Sequence, residues 1–292
     1  MTPLVEVVPN FSEGRDAALV DRLSAAVSSP PEVRLLDQTM DPDHHRSVVT
    51  AVGPPEAVED GLLSAARAAV SKIDLGRHQG VHPRIGALDV APFIPVGGID
   101  WDDLTARARA FGRRLAQELD LPVFFYGRAA TAPERNRLEV IRREAFTALS
   151  PDCGGPQPHP TAGAVAVGVR EFLVAFNIQL ATRDLSIARR IARSIRESSG
   201  GMPAVKALGL DLPAEGCTQV SMNLVDFRTT PPAAVFARVR EQARQADVEI
   251  IDSELIGLIP QAALEGTSGK KLRIRNWSPD QMIFERRLAL AS

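Results

Sequence analysis

The residues with the most chemical content stand in one run, Arg77-His78-Gln79-Gly80-Val81-His82-Pro83-Arg84-Ile85-Gly86-Ala87-Leu88-Asp89-Val90. Gly80 and Pro83 disfavour a helix there, and Pro83 biases His82 toward extended backbone. Imidazole beside guanidinium at the entrance to an apolar strand suits proton transfer close to an anion. His82 admits two readings. It is a loop histidine bonded to backbone, or an acid–base group with its pKa depressed by Arg77 and Arg84 and its ring oriented by Asp89. Either arginine could instead hold a carboxylate. His78 and His82 also have a spacing that ligates zinc when both share a helix face with a Glu between them. Gly80, Pro83 and the missing Glu argue against a metal.

Two further runs add polar groups. Asp41-Pro42-Asp43-His44-His45-Arg46 has the Asp-Pro start of a solvated turn. It could also bring an acid and an arginine to the His82 loop, since both lie at strand ends, although ferredoxin-like pairing need not put the two loops on one edge. Cys153-Gly154-Gly155-Pro156-Gln157-Pro158-His159-Pro160-Thr161-Ala162-Gly163 reads as a proline-stiffened connector. Its glycines also permit the close backbone approach that a flat heterocycle needs. Neither G-x-G-x-x-G nor G-K-[ST] occurs in it, so a phosphate cradle is not expected. Asn177, Gln179, Ser221 and Asn223 interrupt apolar strands at alternate positions, as a solvated sheet face does; the other reading is a polar cleft wall.

These runs need elements to hold them. Residues 5–8, 33–36, 47–52 and 88–96 read as strands. Two helices lie between them: one capped by Asp16 with Leu19, Val20, Leu23 and Val27 on its stripe, one over residues 56–73. That order is β-α-β-β-α-β, the ferredoxin-like signature. A helix over residues 101–119 and a strand over 123–126 extend this half. Residues 151–160 are a candidate boundary. Beyond them the order recurs, with residues 164–169 and 172–180 expected as paired strands, a helix capped by Asp184, strands at 205–210 and 219–227, a helix through Val235 and Val239, and a last strand within 248–259. The fold class is therefore α/β (α+β): two ferredoxin-like subdomains, sheets covered by helices, and a ligand cleft between them. The subdomains span residues 1–150 and 151–265, followed by an irregular tail over 266–292.

Composition narrows the function classes. Lys+Arg 34 against Asp+Glu 36 leaves a net charge of -2, which gives no reason to expect a nucleic-acid partner. Two cysteines, Cys153 and Cys217, are too few for a disulfide framework, so a reduced, cytoplasmic setting fits. No signal peptide and no membrane-spanning run is visible.

Several stretches together resemble the glutamate formiminotransferase family: Val8-Pro9-Asn10-Phe11-Ser12-Glu13-Gly14, Gly53-Pro54-Pro55-Glu56, His82-Pro83-Arg84-Ile85-Gly86-Ala87-Leu88-Asp89-Val90, Phe93-Ile94-Pro95-Val96 and Phe176-Asn177-Ile178. The match is collinear from near the N-terminus to about residue 264. The resemblance implies transfer of a formimino group from N-formimino-L-glutamate to N5 of tetrahydrofolate, a step of histidine breakdown and one-carbon metabolism. It implies His82 as the catalytic histidine, accepting the N5 proton and delivering one to the departing glutamate nitrogen. Folate binding falls on Gly154, Gly155, Pro156, Gln157, Pro158, His159, Pro160, Thr161, Ala162 and Gly163. Tetrahydrofolate is then a co-substrate, no metal is needed, the assembly is a homodimer, and a cyclodeaminase acts as a separate protein. The acid thought to assist the family's histidine falls on Thr39, with Asp37, Asp41 or Asp43 as replacements. Two rivals share these features: a glutamate formyltransferase using 5-formyltetrahydrofolate, and a folate-binding protein without turnover.

Overall fold

A computed structural model describes residues 2–291 and divides into two compact units, one ending at Arg170 and one starting at Glu171. In the first, β1 (Leu4–Val7) and β2 (Asn10–Phe11) are two pieces of one path, interrupted at Pro9, which has no N–H for a ladder. Helix α1 (Ala17–Val27) starts at Asp16, whose carboxylate accepts from Leu19 N at 3.0 Å. Strands β3 (Arg34–Asp41) and β4 (Arg46–Gly53) form a hairpin; α2 (Pro55–Lys72) opens on Pro55 and leads toward β5 (Leu88–Gly97). Helix α3 (Trp101–Leu119) has the bounds expected from its period, with Asp100 as its cap.

The lateral order is β3, β4, β1/β2, β5, with antiparallel neighbours throughout. That is the ferredoxin-like order, and it has a consequence for the site. Strands β4 and β5 both flank β2 and both run against it, so they are parallel to each other and begin at the same edge. The loops entering them, one carrying Arg46 and one carrying His82, are therefore two strand spacings apart, about 10 Å. Beneath lies an apolar core in which Phe93 meets Phe111 edge to face at 5.4 Å.

The sheet continues through β7 (Val165–Val169) and β6 (Val123–Gly127), both parallel to their neighbours. This corrects two expectations. Residues 164–169 do not pair with 172–180; they join β5 and β6, because the wholly buried run Val165-Ala166-Val167-Gly168-Val169 suits a central parallel strand. The connector before them belongs to the first unit as well, so the division falls at residue 170 and not near 151. Leu75 N donates to Thr161 O at 2.8 Å and Ala87 N to Ala162 O at 2.9 Å, stitching the connector to the His82 segment.

One buried carboxyl group in this sheet supports a stability prediction. Glu6 on β1 is 4% exposed, and burial pushes its pKa up to about 8, Arg170 only partly opposing this. An acid with a raised folded pKa destabilises the fold as pH rises from its unfolded value of 4.5 toward 8. Glu6→Gln is accordingly expected to raise Tm at pH 8 and to leave it nearly unchanged at pH 4.5, which calorimetry at the two pH values checks.

The second unit is a four-stranded antiparallel sheet ordered β11 (Ile250–Ile256), β8 (Val174–Leu180), β10 (Cys217–Leu224), β9 (Val205–Leu212), again ferredoxin-like. Helix α5 (Leu185–Ile195), capped by Asp184, and α6 (Pro232–Gln245) add Ile191, Ile195, Val235 and Val239 to a core with Phe176, Ile178 and Val220. The tail is not irregular packing. Leu272, Ile274 and Ile283 enter this core, Arg275 N donates to Ser253 O at 2.8 Å, and short helices run over Pro279–Met282 and Phe284–Leu290. Leu272→Ala should cost about 2–5 kcal/mol, the range for a truncated buried leucine, read as a lower denaturation midpoint.

The alternating polar residues of β8 and β10 are only partly solvated. Asn223 is exposed, but Asn177 and Gln179 are 4% and 0% exposed. Cross-strand pairing explains their burial: with its amide turned to satisfy both ends, Gln179 accepts from Gln219 Nε2 at 3.1 Å and Arg275 Nη2 at 2.9 Å and donates to Asp252 Oδ1 at 3.1 Å. Among the described residues no helix is long and apolar enough to cross a membrane.

Candidate functional site

The shared edge of β4 and β5 gathers the polar residues of three separate runs. Arg46, the first residue of β4, lies across β2 and is held on both sides. Its Nε and Nη2 donate to Asn10 Oδ1, the Nε at 3.0 Å, and its Nη1 donates to Asp89 Oδ2 at 3.0 Å and to His82 Nδ1 at 2.8 Å. Asp89, the second residue of β5, is 1% exposed and also takes Arg142 Nη2 at 2.5 Å and Ile85 N at 2.7 Å. Burial alone would raise the Asp89 pKa, yet the two guanidiniums and the Ile85 N–H hold it below the usual carboxylate value. A charged carboxylate thus anchors two arginines beside an imidazole.

His82 is half-buried. Burial and then the Arg46 and Arg142 guanidiniums hold its pKa well below 6.5, so it is neutral at physiological pH. Among the described residues its Nε2 has no hydrogen-bond partner. The ring nitrogen that is engaged meets a guanidinium side chain and not the backbone.

The Asp41–Arg46 loop does reach the His82 loop. Val81 N donates to Asp43 O at 3.1 Å, and Arg84 donates to His44 O at 2.9 Å and His45 O at 3.0 Å. Gly80 permits the approach, since a Cβ there would lie 2.5 Å from His44 O. His45 stacks on His78 with ring centres 3.9 Å apart, and its Nε2 is 3.3 Å from Glu13 Oε1. Burial and the neighbouring Arg84 guanidinium push His78 down to about 4. His78 Nε2 lies 2.5 Å from Arg84 Nη1 and 3.0 Å from His45 O, and His82 Nδ1 lies 2.8 Å from Arg46 Nη1.

Thr39 is half-buried on β3 opposite Val48 and carries no acid. Two residues on, Asp41 Oδ2 is 2.5 Å from His44 Nδ1, and its Oδ1 accepts from His44 N at 2.8 Å. The His44 ring lies 6.0 Å from that of His82. Asp41, one of the three candidate acids, is bonded into this cluster.

A cavity of about 450 Å³ opens beside it, lined by Arg84, Arg142, Leu75, Ile85, Phe146 and the Pro158–Thr161 turn with Gly163. That volume falls within the range of small-molecule sites. The expected ligand segment divides here. Pro158, His159, Pro160, Thr161 and Gly163 line the cavity, the turn tightened by His159 Nδ1 accepting from Ala162 N at 3.0 Å. Gly154, Gly155, Pro156 and Gln157 do not line it; the stretch begins against the start of β6, with Val123 N donating to Cys153 O at 2.9 Å. Ala162 is wholly buried in the core.

Arginine roles shift as well. Arg77 has an 89% exposed side chain beside Asp74 and takes no part in the cluster. Arg142 replaces it. It sits on α4 (Leu138–Glu144), a helix the sequence reading passed over, although Leu138, Ile141 and Ala145 have a helical spacing.

Comparison with known proteins gives a consistent result. The family model described as the formiminotransferase domain, N-terminal subdomain, matches residues 4–170, ending where the first unit ends. The formiminotransferase domain model matches residues 175–270. A glutamate formimidoyltransferase of Streptococcus pyogenes serotype M1 is 38% identical over 297 residues, covering 99% of each chain. Another from Thermoplasma acidophilum is 37% identical over 300 residues, covering 99% of this chain and 98% of that one. A formimidoyltransferase-cyclodeaminase of Rattus norvegicus is 43% identical over 279 residues, 90% of this chain. This chain spans about half that relative's length, 51%.

Proposed function

Because the chain belongs to the formiminotransferase family, we propose that it transfers the formimino group of N-formimino-L-glutamate to N5 of tetrahydrofolate, releasing glutamate, at the edge where His82, Arg46, Asp89 and Arg142 meet. The observation that carries this reading is the overlap of cluster and cavity, since Arg84 and Arg142 belong to both.

In this reading N5 attacks the formimino carbon, forming one C–N bond, and the tetrahedral intermediate breaks the C–N bond to glutamate. The proton leaving N5 is balanced by one gained on the departing nitrogen. His82 is the catalytic residue at the reacting centre, where a positioned imidazole contributes about 10²–10⁴-fold. Arg84 and Arg142 hold a substrate carboxylate, an interaction whose fork geometry fixes orientation. Of the ten segment residues, Pro158, His159, Pro160, Thr161 and Gly163 line the cavity with Phe146, which supports assigning the folate ring to them. Tetrahydrofolate is a co-substrate here. Histidine breakdown and one-carbon metabolism are the setting, the cytoplasm the place, a homodimer the assembly, and a cyclodeaminase the partner for the next step.

The test is a paired assay with N-formimino-L-glutamate plus tetrahydrofolate in one cuvette and 5-formyltetrahydrofolate plus glutamate in the other. Formation of 5-formiminotetrahydrofolate in the first alone is the expected result. Formylglutamate from the second, with the first inert, assigns the chain to formyl transfer. Folate binding with no product in either overturns catalysis.

A further inference from the structure

Hydrogen bonds at the two facing histidines assign them opposite protonation patterns. A guanidinium has only donors, so Arg46 Nη1 at 2.8 Å requires a lone pair on His82 Nδ1, and the neutral ring then carries its proton on Nε2. At His44 the partner is a carboxylate. Asp41 Oδ2 at 2.5 Å from Nδ1 requires the proton there, which leaves the lone pair on His44 Nε2. Among the described residues that nitrogen has no hydrogen-bond partner. Two imidazoles 6.0 Å apart thus offer a donor on one ring and an acceptor on the other.

We propose that the Asp41–His44 pair is a second acid–base dyad of this site, with His44 carrying the transferred proton while His82 stays neutral and donates a hydrogen bond from Nε2. The proposal rests on the formimino-transfer reading. The N5 lone pair forms the new C–N bond and the C=N pair moves onto the formimino nitrogen, which His82 Nε2–H stabilises. The N5 proton passes to His44 Nε2, and the imidazolium is held by Asp41. The pair on the formimino nitrogen then re-forms C=N and expels the glutamate nitrogen, which takes the proton back from His44. No proton is left over. A carboxylate-oriented imidazole is the arrangement suited to accepting a proton. The depressed pKa of His82 agrees with a ring that remains neutral throughout.

The groups facing His44 are the Asp41 carboxylate, the His82 ring, and Arg84, which donates to the His44 carbonyl at 2.9 Å. Removing the carboxylate takes away the acceptor of the His44 Nδ1 proton. Steady-state kinetics of His44→Gln and Asp41→Asn, with nitrogen NMR of both rings in the wild type, test the dyad. His44→Gln is expected to lower kcat about 100-fold with both KM values within about threefold, and to abolish the acid limb of the pH profile. Asp41→Asn should move that limb to lower pH with a smaller loss of kcat. The resting tautomers should be Nδ1–H for His44 and Nε2–H for His82. Unchanged kcat in a folded His44→Gln protein, or a proton on His44 Nε2 in the resting state, overturns the dyad. A wild-type protein that makes no 5-formimino product overturns instead the functional reading on which it rests.

Discussion

His82→Ala is expected to cut turnover by about 10²–10⁴-fold while tetrahydrofolate binds with nearly unchanged affinity. The separation of effects follows from the layout. His82 Nδ1 is engaged by Arg46, and the cavity walls are made by Arg84, Arg142, Phe146 and the 158–163 turn, none of which needs the imidazole for its position. Loss of transition-state stabilisation without loss of binding lowers kcat and leaves KM alone. Stopped-flow turnover beside a fluorescence titration of tetrahydrofolate reads both. A fall in affinity matching the fall in kcat would mean that His82 only shapes the pocket.

Asp89→Asn should be more costly to the fold than any substitution at the surface of the site. Asp89 is the counter-charge for two guanidiniums that both sit within 3.0 Å of its Oδ2. Taking one partner from such a buried set leaves uncompensated charge and costs about 3–5 kcal/mol. Activity should fall too, since Arg46 would lose one of the anchors that aim it at His82. The pH dependence has a definite sign. The folded pKa of Asp89 lies below its unfolded value of 3.8, so its contribution is complete above pH 3.8 and disappears as pH falls through the folded value. Urea midpoints of wild type and variant should differ widely at pH 7 and converge in strong acid. Parallel midpoints across that range would show that the charge does not matter.

How much of this was legible in the sequence depended on whether the signal was local. Helix caps at Asp16 and Asp184 and the bounds of the 101–119 helix depend on residues a few positions apart, and they were readable. The strand order of each half followed from the alternation of strands and helices. What remained hidden was set by tertiary partners. Residues 165–169 look like any short apolar strand, and nothing local says they enter between β5 and β6 instead of pairing with the strand that follows. The connector looks like a linker because its hydrogen bonds go to residues about 75 positions earlier, such as Ala162 to Ala87. In the tail, Leu272 and Ile274 are spaced too irregularly to announce a buried face.

The site divides in the same way. His82, Asp89 and Arg84 share one run and could be picked out together. Arg46 could be named but not placed, because its role depends on β2 separating two parallel strands by a distance one arginine can bridge. Arg142 arrives from a seven-residue helix whose position relative to Asp89 no spacing encodes. Asp41 stood among three equivalent acids until the turn brought His44 back onto it.

The most direct test of the central claim is a single-turnover experiment. Enzyme saturated with tetrahydrofolate is mixed with a limiting amount of N-formimino-L-glutamate, and glutamate and 5-formiminotetrahydrofolate are counted after quenching. Equal amounts of both products from the wild type, and neither from His82→Ala on the same timescale, is the result this account predicts. Equal product from both proteins would contradict it, placing the chemistry away from the Arg46–His82–Asp89 edge.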